Sequence, residues 1–237
     1  MNANPMTELF RGLDRLGPGE AADIDWLGTQ IDLKPNALIA DLACGSGADI
    51  GPLLDLTATG SVIASDRNPV FLERARELWG AQARVDMRLS DMREPGGRFD
   101  LIWCAGAIYF LGITTALNAW KSSLTNEGFV AFSEPCFWNE QPLEEAVGIW
   151  AEYPDMGDEV SIRNRIEAAG YGTIATRRLS DKAWSDYYAP LLERIGELRT
   201  DAGPELRQVL EETLSEIVAW NKYGDQYGYL LCVVAPR

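Results

Sequence analysis

The stretch Leu38-Ile39-Ala40-Asp41-Leu42-Ala43-Cys44-Gly45-Ser46-Gly47 decides the fold. Its first half is an apolar run with one acid, the pattern of a strand buried on both faces. Its second half cannot continue as a strand. Gly45 and Gly47 permit positive φ and put no side chain between the backbone and a close ligand. Residues 48–56 then carry a short helical pattern. The unit therefore reads as strand, glycine turn and helix, with backbone N–H groups at the helix start available to a nucleotide-like ligand.

Working outward, apolar runs alternate with helical patterns. Strands are expected at residues 37–42, 61–65, 84–89, 99–104, 129–133, 173–179 and 227–234. Helices are expected at 7–16, 21–31, 48–56, 70–79, around 114–123 and at 159–169. That rhythm specifies an α/β protein with a doubly wound, Rossmann-like and mostly parallel sheet. Residues 136–157 break it with Trp138, Trp150, Tyr153 and prolines, and are expected to form a lid. Residues 181–223 are expected to form two helices inserted as a cap, and residues 1–36 a set of N-terminal helices. No repeat or linker divides the chain, so residues 1–237 are read as a single domain.

Composition narrows the function. The chain has 237 residues, 46% of them apolar, and a net charge of −15. Such a balance argues against gripping nucleic acid phosphates or an anionic membrane, both of which need a basic face. Residues 1–10 lack the apolar core of a signal peptide, and no run is long enough to span a membrane. Four scattered cysteines without a Cys-x-x-Cys pair read as reduced thiols, so a cytoplasmic location is expected. There is no histidine, which excludes every His-based triad and makes a metal site unexpected.

Three acids close three successive predicted strands: Asp41, Asp66 and Asp91. In a doubly wound sheet those ends line the ligand crevice. Asp66, about twenty residues past the glycines, can accept both hydroxyls of a ribose. Asp91 can reach an adenine amino group with Met92 against the ring. Asp41 can hold a ligand ammonium or fix the turn. A dinucleotide would call for a third glycine where Ile50 stands, and fewer acids than Asp41 and Asp49 supply. S-adenosylmethionine has no phosphate and carries an ammonium and a sulfonium, which suit an acidic crevice.

With these residues the sequence resembles the class I S-adenosylmethionine-dependent methyltransferases of small-molecule type. The matching segments are Asp41 to Gly47, Asp66, Ser90-Asp91-Met92, Phe99-Asp100-Leu101-Ile102-Trp103-Cys104 and Leu124-Thr125-Asn126-Glu127-Gly128. The resemblance implies a seven-stranded sheet with an antiparallel last strand, S-adenosylmethionine as cofactor and S-adenosylhomocysteine as product. It places Asp41, Ala43, Cys44, Gly45, Ser46 and Gly47 at the cofactor through the glycine turn. Asp66, Arg67, Asp91, Met92, Cys104 and Ala105 follow from the next strand ends.

The expected reaction is in-line methyl transfer to oxygen or nitrogen of a small-molecule acceptor. Alignment and exclusion of water dominate such a step, and a base is needed only for a protonated nucleophile. Glu134, just past the fifth predicted strand, is the first candidate base. Tyr109, after the fourth, is the second. Tyr109, Glu134, Trp138, Trp184, Tyr187 and Tyr188 are the candidate acceptor-binding residues, and acid with aromatic walls favours a cationic or amine acceptor. Two other readings stay open: a protein that binds S-adenosylmethionine or S-adenosylhomocysteine without transfer, and a nicotinamide-dependent oxidoreductase. The sequence carries no signal of oligomeric state and does not name the acceptor.

Overall fold

A computed structural model describes residues 4–237. Its core is one sheet whose long strands run in the order β3-β2-β1-β4-β5-β8-β7. The first four are β1 (Leu38–Leu42), β2 (Ser61–Asp66), β3 (Val85–Leu89) and β4 (Phe99–Cys104). Then come β5 (Leu124–Phe137), β7 (Tyr171–Arg178) and β8 (Tyr227–Pro236). β8 lies antiparallel between β5 and β7, and the pairs among β1 to β5 are parallel. An eighth strand, β6 (Gly157–Asp158), pairs with the far end of β5 and was not anticipated.

β5 runs to Phe137 rather than stopping at Ser133, because β8 pairs with it as far as Phe137↔Tyr227. Glu134 therefore stands inside a strand. Pro135, which has no N–H to give, falls between β4, ending opposite Phe132, and β6, beginning opposite Cys136. The expected lid thus loses residues 136–137 to β5 and contains helix α6 (Glu144–Ile149).

Side chains alternate between two cores. Ile39, Leu101, Ala131, Leu231 and Val233 face one side, against α2 (Ala21–Gln30), α3 (Ile50–Asp55), α8 (Asp181–Leu198) and α9 (Pro204–Tyr223). Ala40, Leu42, Ile102, Phe132 and Cys232 face the other, against α5 (Ile113–Trp120) and α7 (Glu159–Ala168). Helix α4 (Pro69–Trp79) follows β2, with Asn68 capping it and Pro69 at its first turn.

The first helix is shorter than its apolar spacing predicts. α1 spans Pro5–Phe10, and Gly12 with φ of +85° turns the chain away. Residues 11–20 then cross the sheet edge as an irregular strap. Leu16 lies so close to Gly45 that a Cβ there would sit 2.9 Å from the Leu16 side chain. Arg74 binds Asp14 at 2.8 Å, and the Ser180 hydroxyl donates to Glu20 at 2.5 Å, fastening the strap to α4 and α8. No helix among the described residues is long and apolar enough to cross a membrane.

Candidate active site

The turn after β1 winds through the left-handed region three times, at Ala43 (φ 57°), Gly45 (φ 55°) and Gly47 (φ 82°). The glycines were expected to do so, whereas Ala43 carries a Cβ there at a cost of roughly 1–2 kcal/mol. The turn is fixed from below. The Cys44 N–H donates to the Ser65 carbonyl at 2.9 Å, and the Gly45 N–H donates to Asp66 Oδ2 at 2.9 Å. Trp79 lies against Gly47 and donates its indole N–H to that residue's carbonyl at 2.9 Å. Ser46 is buried with no partner for its hydroxyl oxygen. Cys44 is half-buried, its thiol pushed well up by burial and then by Asp41 and Asp66.

Asp41 ends β1 beneath this turn, 3% exposed, and its Oδ2 has no hydrogen-bond partner in the protein. Burial, then the nearby Asp49 and Asp66, hold its carboxyl well above the usual range; Arg15 opposes them. Asp49 itself binds the Arg15 guanidinium at 2.5 Å and the Trp103 indole N–H at 2.9 Å. Asp66 accepts the Asn68 N–H at 2.7 Å besides that of Gly45, and burial raises it despite those bonds. A buried carboxylate oxygen without a donor beside a backbone cradle suits an ammonium-bearing ligand such as a sulfonium amino acid.

Further out the expected residues lie at the rim. The Ser90 N–H donates to the Asp66 carbonyl at 3.1 Å, which holds the next loop against β2. There Asp91 is exposed and engages Arg93 through both its N–H and its guanidinium, at 2.8 and 3.0 Å. Met92 is half-buried and its carbonyl accepts the Trp120 indole N–H at 2.7 Å; Arg67 is exposed. Cys104 is fully buried on the α5–α7 side, and burial drives its thiol upward. Ala105 turns to the opposite side, into a small void bounded by Glu20, Asp23, Asp49, Trp103 and Ser133.

The acceptor-side residues do not form one group. Glu134 has no solvent exposure and faces α7. It accepts the Tyr153 hydroxyl at 2.5 Å and lies 3.4 Å from Arg165. Burial pushes its carboxyl up to about 7 against the pull of both partners. Tyr109 stands between two clusters. Its ring lies 5.8 Å from that of Tyr153, its hydroxyl bonds with Tyr229, and burial pushes it up to about 12.

Tyr187, Tyr188, Trp184, Trp220 and Tyr229 pack beside it as an aromatic roof carried by α8, α9 and β8. Trp184 stacks on Trp220 at 4.1 Å, so that face is used within the protein. Trp138 departs from the expected cage. It packs on Gly228, with the Arg178 guanidinium 4.2 Å over its ring, and joins the α5–α7 core instead. The residues that sequence reasoning missed are Arg15, Asp49, Trp103, Ser133, Tyr153 and Tyr229. Only Asp49 carried a signal, as an acid just past the glycines.

The strand order, the glycine turn and the acids at successive strand ends define a class I methyltransferase fold. Residues 39–128 match the family model described as a methyltransferase domain. No curated protein matches the chain. Among solved structures it is similar to a SAM-dependent methyltransferase from Thiobacillus denitrificans in complex with S-adenosyl-L-homocysteine. The TM-score is 0.83 at 18% identity, covering 100% of this chain and 99% of that one. A SAM-dependent methyltransferase from Geobacter sulfurreducens, also with S-adenosyl-L-homocysteine, gives 0.83 at 20% identity with the same coverage. The cyclopropane synthase MmaA2 from Mycobacterium tuberculosis gives 0.75 at 13% identity, covering 98% and 94%. Identities this low show the fold.

Proposed function

We propose that this protein transfers the methyl group of S-adenosylmethionine to an oxygen or nitrogen of a small molecule. The observation that carries the reading is the Asp41 carboxyl, sealed under the glycine turn with one oxygen unpaired. When bound, the cofactor supplies an electrophilic methyl on a sulfonium. Asp41 would take the ammonium, the Ala43–Gly47 backbone the methionine moiety, Asp66 the ribose and Asp91 with Met92 the adenine. In this reading the acceptor approaches from the side of Ala105 and Ser133, which border a small void. The roof of Trp184, Tyr187, Tyr188 and Tyr229 excludes water there, which strengthens charge interactions at the reacting centre.

Tyr109 is the acceptor-lining residue in this account, its hydroxyl beside Tyr229 and present as the phenol rather than the phenolate. Glu134 works at one remove: its carboxyl holds the Tyr153 hydroxyl, and a direct base role would require that bond and the Arg165 contact to give way. The acceptor class stays at amine or hydroxyl. The faces of Trp138 and Trp184 are already taken, which weakens the cation–π cage that their composition suggested.

Binding without transfer is the second reading, favoured by the lack of an unengaged base on the acceptor side. Ile50, fully buried in α3 where a dinucleotide site calls for glycine, stands against the oxidoreductase. Calorimetric titration separates these: S-adenosylhomocysteine binds at micromolar concentration and NADH does not. A screen of pooled metabolites with S-adenosylmethionine, reading S-adenosylhomocysteine formed, then decides enzyme against binder. A protein that binds but gives no product with any pool contradicts the transfer reading.

A further inference from the structure

A second polar cluster lies away from the glycine turn, near the end of β5. Glu134, with no solvent exposure, accepts the Tyr153 hydroxyl through Oε1 at 2.5 Å. The same oxygen lies 3.4 Å from Arg165 Nη1, which is 3.5 Å from the Tyr153 hydroxyl. The rest of the cluster is unmet. Glu134 Oε2, Arg165 Nε and Arg165 Nη2 are all buried without a hydrogen-bond partner in the protein. Asp155, the other acid that acts on Glu134, is exposed and takes none of them.

The two unmet nitrogens belong together. Nε–H and Nη2–H form one edge of the guanidinium, a pair of parallel donors spaced to match two oxygens of a carboxylate or a phosphate. Nη1 is taken by Glu134 and Tyr153, which fixes the direction of that edge. β6 passes beside it at a glycine, where a Cβ would stand 4.0 Å from Nη2. Charged donors shielded from water with no acceptor destabilise a fold, and a bound oxyanion would relieve that. The Tyr153 ring lies 5.8 Å from that of Tyr109, so the cluster adjoins the acceptor-lining side chain. Resting on the reading above, we propose that Arg165 and Glu134 seat the polar tail of the acceptor. Arg165 takes a carboxylate or phosphate along its free edge, and Glu134 Oε2 receives a hydroxyl or ammonium beside it. The acceptor is then an amine or alcohol with an acidic tail, admitted as the lid lifts Tyr153 and held with its nucleophile toward Tyr109.

Two probes test this on the full chain saturated with S-adenosylhomocysteine: inorganic phosphate and acetate, each against sodium chloride at equal ionic strength. At about ten times its Kd, at least one should raise Tm by roughly 3–6 °C over the chloride control. Arg165→Gln should abolish that rise. Arg165→Lys, which keeps the charge but lacks the planar edge, should keep less than half of it. A response to phosphate alone assigns phosphate esters as acceptors, and a response to acetate alone assigns carboxylic acids. No rise in the parent, or an equal rise in parent and variants, overturns the proposal. Should Arg165→Gln fail to fold, Arg165→Lys decides alone. The pooled-metabolite screen reads the same seat through turnover. Any acceptor it returns should carry an oxyanion, and esterifying that group should raise KM by about ten- to a hundredfold. An acceptor used equally well without its oxyanion overturns the seat while leaving the methyltransferase reading intact. A parent chain that binds no S-adenosylhomocysteine overturns that reading itself, and the seat with it.

Discussion

The two halves of the sheet edge are built differently. The cofactor half, over β1, β2 and β3, is made of backbone and of acids that directly end strands. Its key bond, Gly45 N–H to Asp66, joins the turn after β1 to the end of the adjacent parallel strand β2, across 21 residues of chain. The acceptor half, over β4, β5 and β8, is made of side chains from distant segments. Tyr153 reaches Glu134, Tyr188 reaches Glu216 on α9, and Tyr109 sits between the two groups. A site of the first kind is set by local geometry. A site of the second kind depends on how the roof packs, so damage there should first appear as lost stability.

The largest expected effect therefore lies in the roof. Trp184→Ala removes a side chain that is 2% exposed and stacked on Trp220, and should cost about 3–5 kcal/mol of stability. Chemical denaturation would measure it, and a loss under 1 kcal/mol would show that the two halves do not differ in this way.

The next effect is on the cofactor side and has the opposite character. Asp41→Asn keeps the shape but removes a carboxyl whose ionisation is opposed by burial and by Asp49 and Asp66. A raised carboxyl is a folding cost at pH values where the unfolded chain ionises it. The variant should be at least as stable as the parent at pH 8, while losing about 1.5–3 kcal/mol of S-adenosylhomocysteine affinity. Thermal unfolding alongside calorimetry reads both, and a variant that unfolds earlier with affinity intact would make Asp41 a structural acid.

A third effect, spread across a pH window, concerns Glu134. The Glu134 carboxyl stands at about 7 in the folded protein against 4.5 for the free group. The folded state binds the extra proton between those values, so this group's contribution is full below about pH 4.5. It is lost as pH rises through about 7. Glu134→Gln should flatten that part of the stability profile, by a difference of up to about 3 kcal/mol across the window. Unchanged slopes in parent and variant would mean that Arg165 and Tyr153 hold the carboxylate ionised throughout.

Trp138→Ala is expected to have the smallest effect. Its half-buried ring pairs with Arg178 outside the roof, and loss of the pair is worth about 0.5–1 kcal/mol. Turnover, once an acceptor is known, should change less than for Tyr109→Phe; the reverse order would return Trp138 to the acceptor pocket.

The same division explains what the sequence could disclose. β1, β2 and β4 were legible as short, largely buried runs ended by an acid or a turn and β3 as an alternating run, and the resemblance falls on that span. The positive φ of Ala43 was not legible, since alanine gives no sign of it. α1 ended early because Gly12 lies inside a pattern whose apolar spacing continues to Leu16. Leu13 and Leu16 kept their apolar role by packing inward from the strap, Leu16 against Gly45, rather than from a helix. The contacts of Asp49 with Arg15 and Trp103 stayed hidden because they span 34 and 54 residues of chain. Trp138 and Trp184 look alike in sequence. Their partners, a guanidinium and another indole, are set by the antiparallel return of β8.

The central claim is that the glycine turn and Asp41 seat a sulfonium amino acid cofactor. The most direct measurement is calorimetric titration of the full chain and its Asp41→Asn variant with S-adenosylhomocysteine at pH 8. The account predicts micromolar binding at one site in the first and a loss of about ten- to a hundredfold in the second, with both chains folded. Equal affinity in the two, or no binding in either, would contradict it.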